Sequence, residues 1–277
     1  MPYEAGRYET LTVDVADHIA HVRLSRPDAL NTMNEAFWAE LPAAFDALSI
    51  RSDVRVAVLS STGRHFTAGL DLSMGAGFGI DQAAEPARWG EKLRHKIRRM
   101  QDTFTALERC RVPVIAAVQG GCLGGGVDLV TACDLRYATA DAYFTIQEVN
   151  IAIVADVGTL QRIPHLLPLG LIKELAYTGR KFTAEEAARH GFVNAIADSH
   201  DGVVALAMDT ARTIAAKSPV AIAGIKDVVN HAREHTVRDG LEYVSALNTS
   251  LLATHDVPKG VQAAMARKEA TYDDLLD

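Results

Sequence analysis

The sequence predicts an α/β protein with a helical C-terminal region. Two observations carry this. Strand-like and helix-like segments alternate up to about residue 150, and helical patterns dominate afterwards, the order expected of an α/β core with an appended helical part. Residues 56–60 and 112–118 are continuous apolar runs, which suit strands buried on both faces, as in a parallel sheet.

Taken in order, residues 10–15 and 19–24 read as short strands around a turn at Ala16-Asp17-His18. The second alternates, with Ala20, Val22 and Leu24 on one face and His21 and Arg23 on the other. Arg26-Pro27-Asp28 breaks the chain. A helix follows over 34–48, with Phe37, Leu41, Phe45 and Leu48 at helical spacing. After the strand 56–60, residues 63–72 form a turn and loop, and 73–79 are glycine-rich. A long amphipathic helix spans 87–109. The strand 112–118 is closed by Gly120-Gly121, and glycines 124–126 lead into a short helix through Ala132. Strands follow at 135–138 and 143–146. Thr183 and Glu186 form a capping box for a helix stopped at Gly191. Ser218-Pro219 pairs an N-cap with a proline at the first helical position. Further helices cover 237–254 and 258–271. The α/β core is placed at residues 1–200 and the helical region at 201–277.

The 277 residues suit one large domain with a small appendage. A hydrophobic content of 48% with 23% charged residues reads as an ordinary soluble globular chain. A net charge of −7 argues against nucleic acid as a partner, because phosphate binding wants a basic surface; an anionic ligand would be held by local basic groups and backbone N–H donors. Cys110, Cys122 and Cys133 are odd in number and lack CxxC spacing, which points away from a disulfide framework or a zinc site and toward a reducing compartment. The first ten residues are polar and mixed in charge, unlike a signal or transit peptide. No apolar run reaches membrane-spanning length, and the chain ends Leu275-Leu276-Asp277, which is not a peroxisomal address. The expected location is cytoplasmic, with no membrane partner.

The common glycine fingerprints fail. Gly124 and Gly126 satisfy two positions of GxGxxG, but the third falls on Leu129, and Gly75 and Gly77 are followed by Ile80 there. No P-loop, GxSxG elbow or HExxH is present. Nicotinamide enzymes, NTPases, serine hydrolases and zincins lose support.

Two segments are distinctive: His65-Phe66-Thr67-Ala68-Gly69-Leu70-Asp71-Leu72, and Gly121-Cys122-Leu123-Gly124-Gly125-Gly126-Val127-Asp128-Leu129. Each follows a buried strand and a turn. In the second, the glycines open directly into a helix, whose first N–H groups lack internal partners. Glycine lets a ligand approach such backbone closely. Two N–H groups converging on one carbonyl oxygen make an oxyanion hole; tight turns needed only for packing are the alternative reading of either segment alone.

Together with Leu24-Ser25-Arg26-Pro27-Asp28-Ala29-Leu30-Asn31, with residues 113–121, and with Thr183-Ala184-Glu185-Glu186-Ala187 before Gly191-Phe192-Val193, these segments resemble the crotonase superfamily of enoyl-CoA hydratases and isomerases. The resemblance covers roughly residues 10–270, in consistent order. It implies a spiral of ββα units with a C-terminal helical trimerisation region, a homotrimer or homohexamer, and an acyl-CoA thioester as partner. It maps the oxyanion donors to the N–H groups of Leu70 and Gly125. Ala68, Gly69, Asp71, Leu72 and Gly126, which flank them, are the candidate substrate-binding residues. Holding a thioester oxygen this way stabilises an enolate and acidifies the α-proton, so neither a metal nor a redox cofactor is expected.

Three acids follow the second turn: Asp128, Glu148 and Asp156. Read alone, each has a structural alternative. Asp128 suits a helix N-terminus, Glu148 a surface strand end, and Asp156 the N-cap of a helix through Gln161. The resemblance makes them the catalytic set. Hydratases carry Glu at the positions of Asp128 and Glu148, and glycine at that of Asp156. Residues 120–162 instead look like the Δ3,5-Δ2,4-dienoyl-CoA isomerases, with Asn150 standing where an acid is expected. Shifting a conjugated diene removes a proton at C2 and delivers one at C6, several bonds away, which suits two separated carboxylates. The resemblance makes Glu148 the base and Asp156 the donor, kept protonated by its apolar neighbours, with Asp128 tuning the charge or assisting Glu148.

Other residues are read as structural. His65 is a satisfied polar residue. His231 and His235 lack a third metal ligand. Phe37 and Trp38 are core. The basic run Lys92, Arg94, His95, Lys96, Arg98, Arg99 is a solvated helix face or borders the CoA phosphates. Residues 73–80, with Phe78, suit a lid or tunnel wall. An enoyl-CoA hydratase is the second reading, disfavoured by Asp128 and Asp156. A non-catalytic CoA- or RNA-binding member is the third, disfavoured by the retained acids and the negative charge.

Overall fold

The computed structural model describes residues 8–77 and 85–275; Phe78 and the rest of the predicted wall up to residue 80 lie outside them. The chain opens with an antiparallel pair, β1 (Leu11–Ala16) and β2 (Ile19–Leu24). Asp17 and His18 turn it with positive φ angles of 50° and 63°, the conformation that matches strand twist in a two-residue hairpin. Helix α1 (Glu35–Ser49) is capped by Asn34, whose side chain accepts the Phe37 N–H. Its apolar stripe, from Phe37 and Trp38 to Leu48, is buried.

Next come β3 (Val56–Ser61), α2 (Pro86–Arg109), β4 (Val114–Val118), β5 (Gly121–Leu123), α3 (Gly125–Thr131), β6 (Leu135–Thr139) and β7 (Tyr143–Thr145). After them lie α4 (Thr159–Arg162), α5 (Leu169–Thr178), β8 (Phe182–Thr183), α6 (Ala184–Arg189), β9 (Ala195–Ala197), α7 (His200–Ala215), α8 (Pro219–Glu234), α9 (Val237–Leu251) and α10 (Asp256–Ala266).

Six strands form one sheet in the order β1-β2-β3-β4-β6-β9, parallel from β2 onward. β5, β7 and β8 form a second, three-stranded sheet. Successive ββα turns thus lay one strand in each sheet before a helix: β4, β5, α3, then β6, β7 and the helices after them. This is the spiral that the resemblance implied. Alternation in the buried strands splits the core. Ala57, Leu59, Val114, Ala116 and Val118 face the main cluster with α1, α2 and α3. Val56, Val58, Ile115 and Ala117 face Val203, Ala207 and Ala211 of α7.

Several expectations change. Helix α7, the first of the region placed at 201–277, packs on the sheet's second face. The short strands β5, β8 and β9 escape pattern reading because two or three residues carry no periodicity; backbone pairing alone defines them. Thr183 accepts the Glu186 N–H, but the Glu186 carboxylate turns to Arg180 at 2.8 Å instead of closing a capping box. The reciprocal box occurs at Thr236 and Asp239. Buried Lys226 fastens α8 to the core, donating to Leu107 O, Val112 O and Asp134 Oδ2 at 2.9, 3.0 and 2.9 Å.

Candidate active site

The two glycine turns are laced together by backbone. Phe66 N donates to Gln119 O at 2.8 Å, Thr67 N to Gly121 O at 3.2 Å, and Leu123 N to Thr67 O at 3.1 Å. His65 accepts the Gly121 N–H on Nδ1 at 2.9 Å, which places its own proton on Nε2. Burial holds its imidazole below the ordinary histidine range, so it is a neutral strut between the turns. The Arg26–Asn31 segment buttresses them from outside: Asn31 Nδ2 donates to Thr62 O and His65 O at 2.7 and 3.2 Å, and Ala68 N to Leu30 O at 3.0 Å.

At the point of closest approach, Gly69 has φ +82°, and a Cβ there would lie 2.5 Å from Leu123 O and 3.4 Å from Gly125 N. Gly124 takes φ 51° and ψ −118°, which an L side chain tolerates poorly. This close contact brings Leu70, the residue after Gly69, and Gly125, the first residue of α3, to the lining of one cavity. Neither backbone N–H donates to a protein acceptor among the described residues. Two free donors on one spot are what an oxyanion requires. Gly69→Ala is expected to push the turns apart, lowering turnover at least ~100-fold and stability by about 2 kcal/mol. Steady-state rates and melting curves check this; unchanged turnover would show that the contact does not place the donors.

Beneath this spot opens a cavity of about 620 Å³. Its floor and walls include Ala68, Leu70, Gly125, Glu148, Ile151, Ile153, Asp156 and Val157, with Trp38 of α1 and Leu93, Ile97 and Met100 of α2. Asp71 and Leu72 line its rim. Asp71 is committed to Ser73, whose N–H and hydroxyl hold its carboxyl below the usual range, and faces Arg26 at 3.7 Å.

Glu148 starts the 3-10 turn (Glu148–Ile151) that follows β7. Its Oε2 is buried without a hydrogen bond, and burial, then the charge of Asp128, push its pKa up to about 7. Asp156 lies half-buried on the irregular segment before α4, and burial raises its carboxyl above the ordinary value. Asp128 is 0% exposed. Its Oδ1 accepts the Thr159 N–H at 2.5 Å, its Oδ2 has no partner, and burial pushes its pKa up to about 6.

The site thus brings together Leu70, Gly125, Glu148 and Asp156, with Ala68 beside them. Asp128, Gly69 and Gly126 do not line the cavity. Asp128 stands behind the wall, its carboxylate serving the start of α4 and its charge acting on Glu148. Gly69 is the contact between the turns. Gly126 is a packing position, where a Cβ would meet Thr67 Cγ2 at 2.5 Å and Cys122 Sγ at 3.2 Å. Nor does Asp156 cap α4; Gly158 occupies that place. The wall residues of α2, at 93, 97 and 100, follow helical spacing, which marks a packed face but not a cavity wall. Trp38, read as core, is both core and wall. His231 stacks on both His235 and Tyr243, and among the described residues no group of three or more His, Cys, Asp or Glu is placed to hold a metal ion.

Comparison with known proteins defines the class. The enoyl-CoA hydratase/isomerase family model matches residues 14–274, and the chain belongs to that family. Among individual relatives, a mitochondrial Δ(3,5)-Δ(2,4)-dienoyl-CoA isomerase from Rattus norvegicus is 44% identical over 266 residues, covering 95% of this chain and 81% of that protein. A peroxisomal one from Arabidopsis thaliana is 39% identical, covering 97% and 98%. The crystal structure of an enoyl-CoA hydratase from Bacillus anthracis superposes with a TM-score of 0.87 at 30% identity, covering 96% of this chain and 99% of that one. No helix among the described residues is long and apolar enough to cross a membrane.

Proposed function

We propose that this enzyme converts 3,5-dienoyl-CoA to 2,4-dienoyl-CoA. One observation carries the reading: two carboxylates with raised pKa values, Glu148 and Asp156, line one apolar cavity beneath two free N–H donors. The thioester oxygen accepts from Leu70 N–H and Gly125 N–H. Glu148 takes the C2 proton, and the C2–H electron pair becomes the C2=C3 bond. The C3=C4 pair shifts to C4=C5, and the C5=C6 pair takes a proton at C6 from Asp156. One proton leaves the substrate and one enters, with no change of oxidation level, so the residues need neither metal nor redox cofactor. Asp128 contributes charge behind Glu148. CoA is part of the substrate.

The acyl chain covers Asp156 and removes its remaining water, which favours the protonated donor. The hydratase reading gains from the fold likeness, but Asp156 stands in the cavity where hydration of a 2-enoyl chain calls for no third acid. Ultraviolet absorbance separates the two. The 2,4-dienoyl chromophore should grow in from a 3,5-dienoyl-CoA, with little hydration of crotonyl-CoA. Fast hydration of crotonyl-CoA without dienoyl conversion would make the protein a hydratase.

Trp38 and Met100 also line a neighbouring pocket of about 230 Å³ edged by Lys92, His95 and Arg99. These two side chains therefore partition the acyl cavity from a basic one. Trp38→Leu should open the partition and raise kcat/KM for long acyl chains relative to short ones by about 10-fold. An unchanged ratio across a chain-length series would place the limit elsewhere.

Assembly into a trimer or hexamer is supported by apolar side chains left open on the last helices: Ile225, Val229, Leu241, Val261 and Met265 are 55–83% exposed. Three free, buried cysteines favour a reducing compartment such as the cytoplasm, whereas the curated relatives above are mitochondrial and peroxisomal proteins.

A further inference from the structure

The segment bearing Asp156 has no regular structure between the 3-10 turn and α4. Its outer residues, Ile153 and Val154, are 41% and 72% exposed. On either side of the acid, Ala155 and Val157 are packed into the main core at 5% and 7% exposed, but the carboxyl between them is only half-buried. The segment is also fastened from behind, by polar groups that the reaction itself does not use. Gln101 Nε2, on α2, donates to the Asp156 carbonyl oxygen at 2.7 Å. Arg162 reaches back across α4 and donates to Val157 O at 3.4 Å, to Thr105 Oγ1 at 3.1 Å and to Glu108 Oε2 at 2.7 Å. The other Glu108 oxygen accepts from Arg233 of α8 at 2.6 Å.

The guanidinium has been given room at a cost in sequence freedom. Gly158 has φ +136°, and a Cβ there would sit 1.7 Å from an Arg162 terminal nitrogen. The Arg162–Glu108 pair is only 11% and 14% exposed. Burying such a pair contributes little net stability over apolar replacements, so its place against the backbone of Val157, the residue after the donor, calls for a functional reason. These contacts gather on the acid and the residues just after it: Gln101 holds residue 156, Arg162 holds residue 157, and Asp128 holds Thr159.

Resting on the isomerase reading above, we infer that Gln101 and Arg162 are positioning residues for Asp156, aiming its carboxyl at the distal end of the diene, with Glu108 and Arg233 holding Arg162 in place. They act on the second proton transfer and not on the first. Removal of the C2 proton depends on Glu148 and the two N–H donors, which lie on other segments.

The test uses the full-length protein in D₂O with a 3,5-dienoyl-CoA. Proton NMR follows deuterium entry at C2 of unreacted substrate, and absorbance follows isomerisation. Wild type must first isomerise the substrate; if it does not, the isomerase reading fails independently of this inference. Gln101→Ala and Arg162→Lys are each expected to lower isomerisation kcat about 10- to 100-fold, with KM within about 3-fold and C2 exchange retained. Should Arg162→Lys not fold, Gln101→Ala carries the test, since its side chain lies at the edge of a polar surface pocket. In an Asp156→Asn background, Gln101→Ala should add no further loss, because it acts through Asp156. Equal losses of exchange and isomerisation, or no loss of either, or full additivity with Asp156→Asn, would overturn the inference.

Discussion

Glu148→Gln is expected to lower isomerisation by ~10³-fold or more, within the range for removing a positioned general base, and to abolish C2 exchange with it. The amide keeps the shape but cannot take a proton. The same substitution should stabilise the fold, and the sign follows from linkage. Burial and the neighbouring Asp128 raise the Glu148 pKa from 4.5 to about 7, so the native state binds this proton more tightly than the unfolded chain. That contribution to stability is fully present below the unfolded pKa and is lost as pH rises through the folded one. Above pH 7 the wild type carries a buried carboxylate at a penalty of about 3 kcal/mol, which glutamine removes. Thermal melts at pH 8 should therefore favour Glu148→Gln, and melts near pH 4 should show little difference. A variant that is inactive but no more stable at pH 8 would mean that the carboxylate is not held in a hostile environment. A variant that still exchanges C2 would move the base to another residue.

Asp156→Asn should split the reaction. Isomerisation is expected to fall about 10²- to 10⁴-fold, because asparagine has no proton to give at C6. C2 exchange should survive, because Glu148, Leu70 N–H and Gly125 N–H remain in place. Absorbance for the product and NMR for the exchange measure the two on one sample. Full turnover by Asp156→Asn would sink the assignment of Asp156 as the distal donor. Loss of both rates would make Asp156 a structural residue of the wall. After each turnover Glu148 holds a proton and Asp156 lacks one, so the next cycle requires the pair to be reset. The mutual charge effects among Asp128, Glu148 and Asp156 mean that the pH–rate profile reports the group of acids rather than single residues.

The sequence by itself determined the α/β class, most long elements and the family. The buried runs at β3 and β4, the glycine turns and the order of the three acids are local in the chain, and each is written in residue types that only a few conformations accept. His65 illustrates the boundary. Its neighbours marked a turn, but its role as acceptor for Gly121 N–H exists only because the register of Thr67 against Cys122 places two distant loops side by side. The sequence likewise offered Asp128, Glu148 and Asp156 as one set. Only the tertiary packing separates them, sealing Asp128 behind the wall against Thr159 while leaving the other two in the cavity. Trp38 became a wall, α7 a cover for the sheet, and Gln101 and Arg162 a brace for Asp156 for the same reason. Burial and hydrogen-bond partners are set by residues tens of positions away, and local periodicity carries no information about which of them will meet.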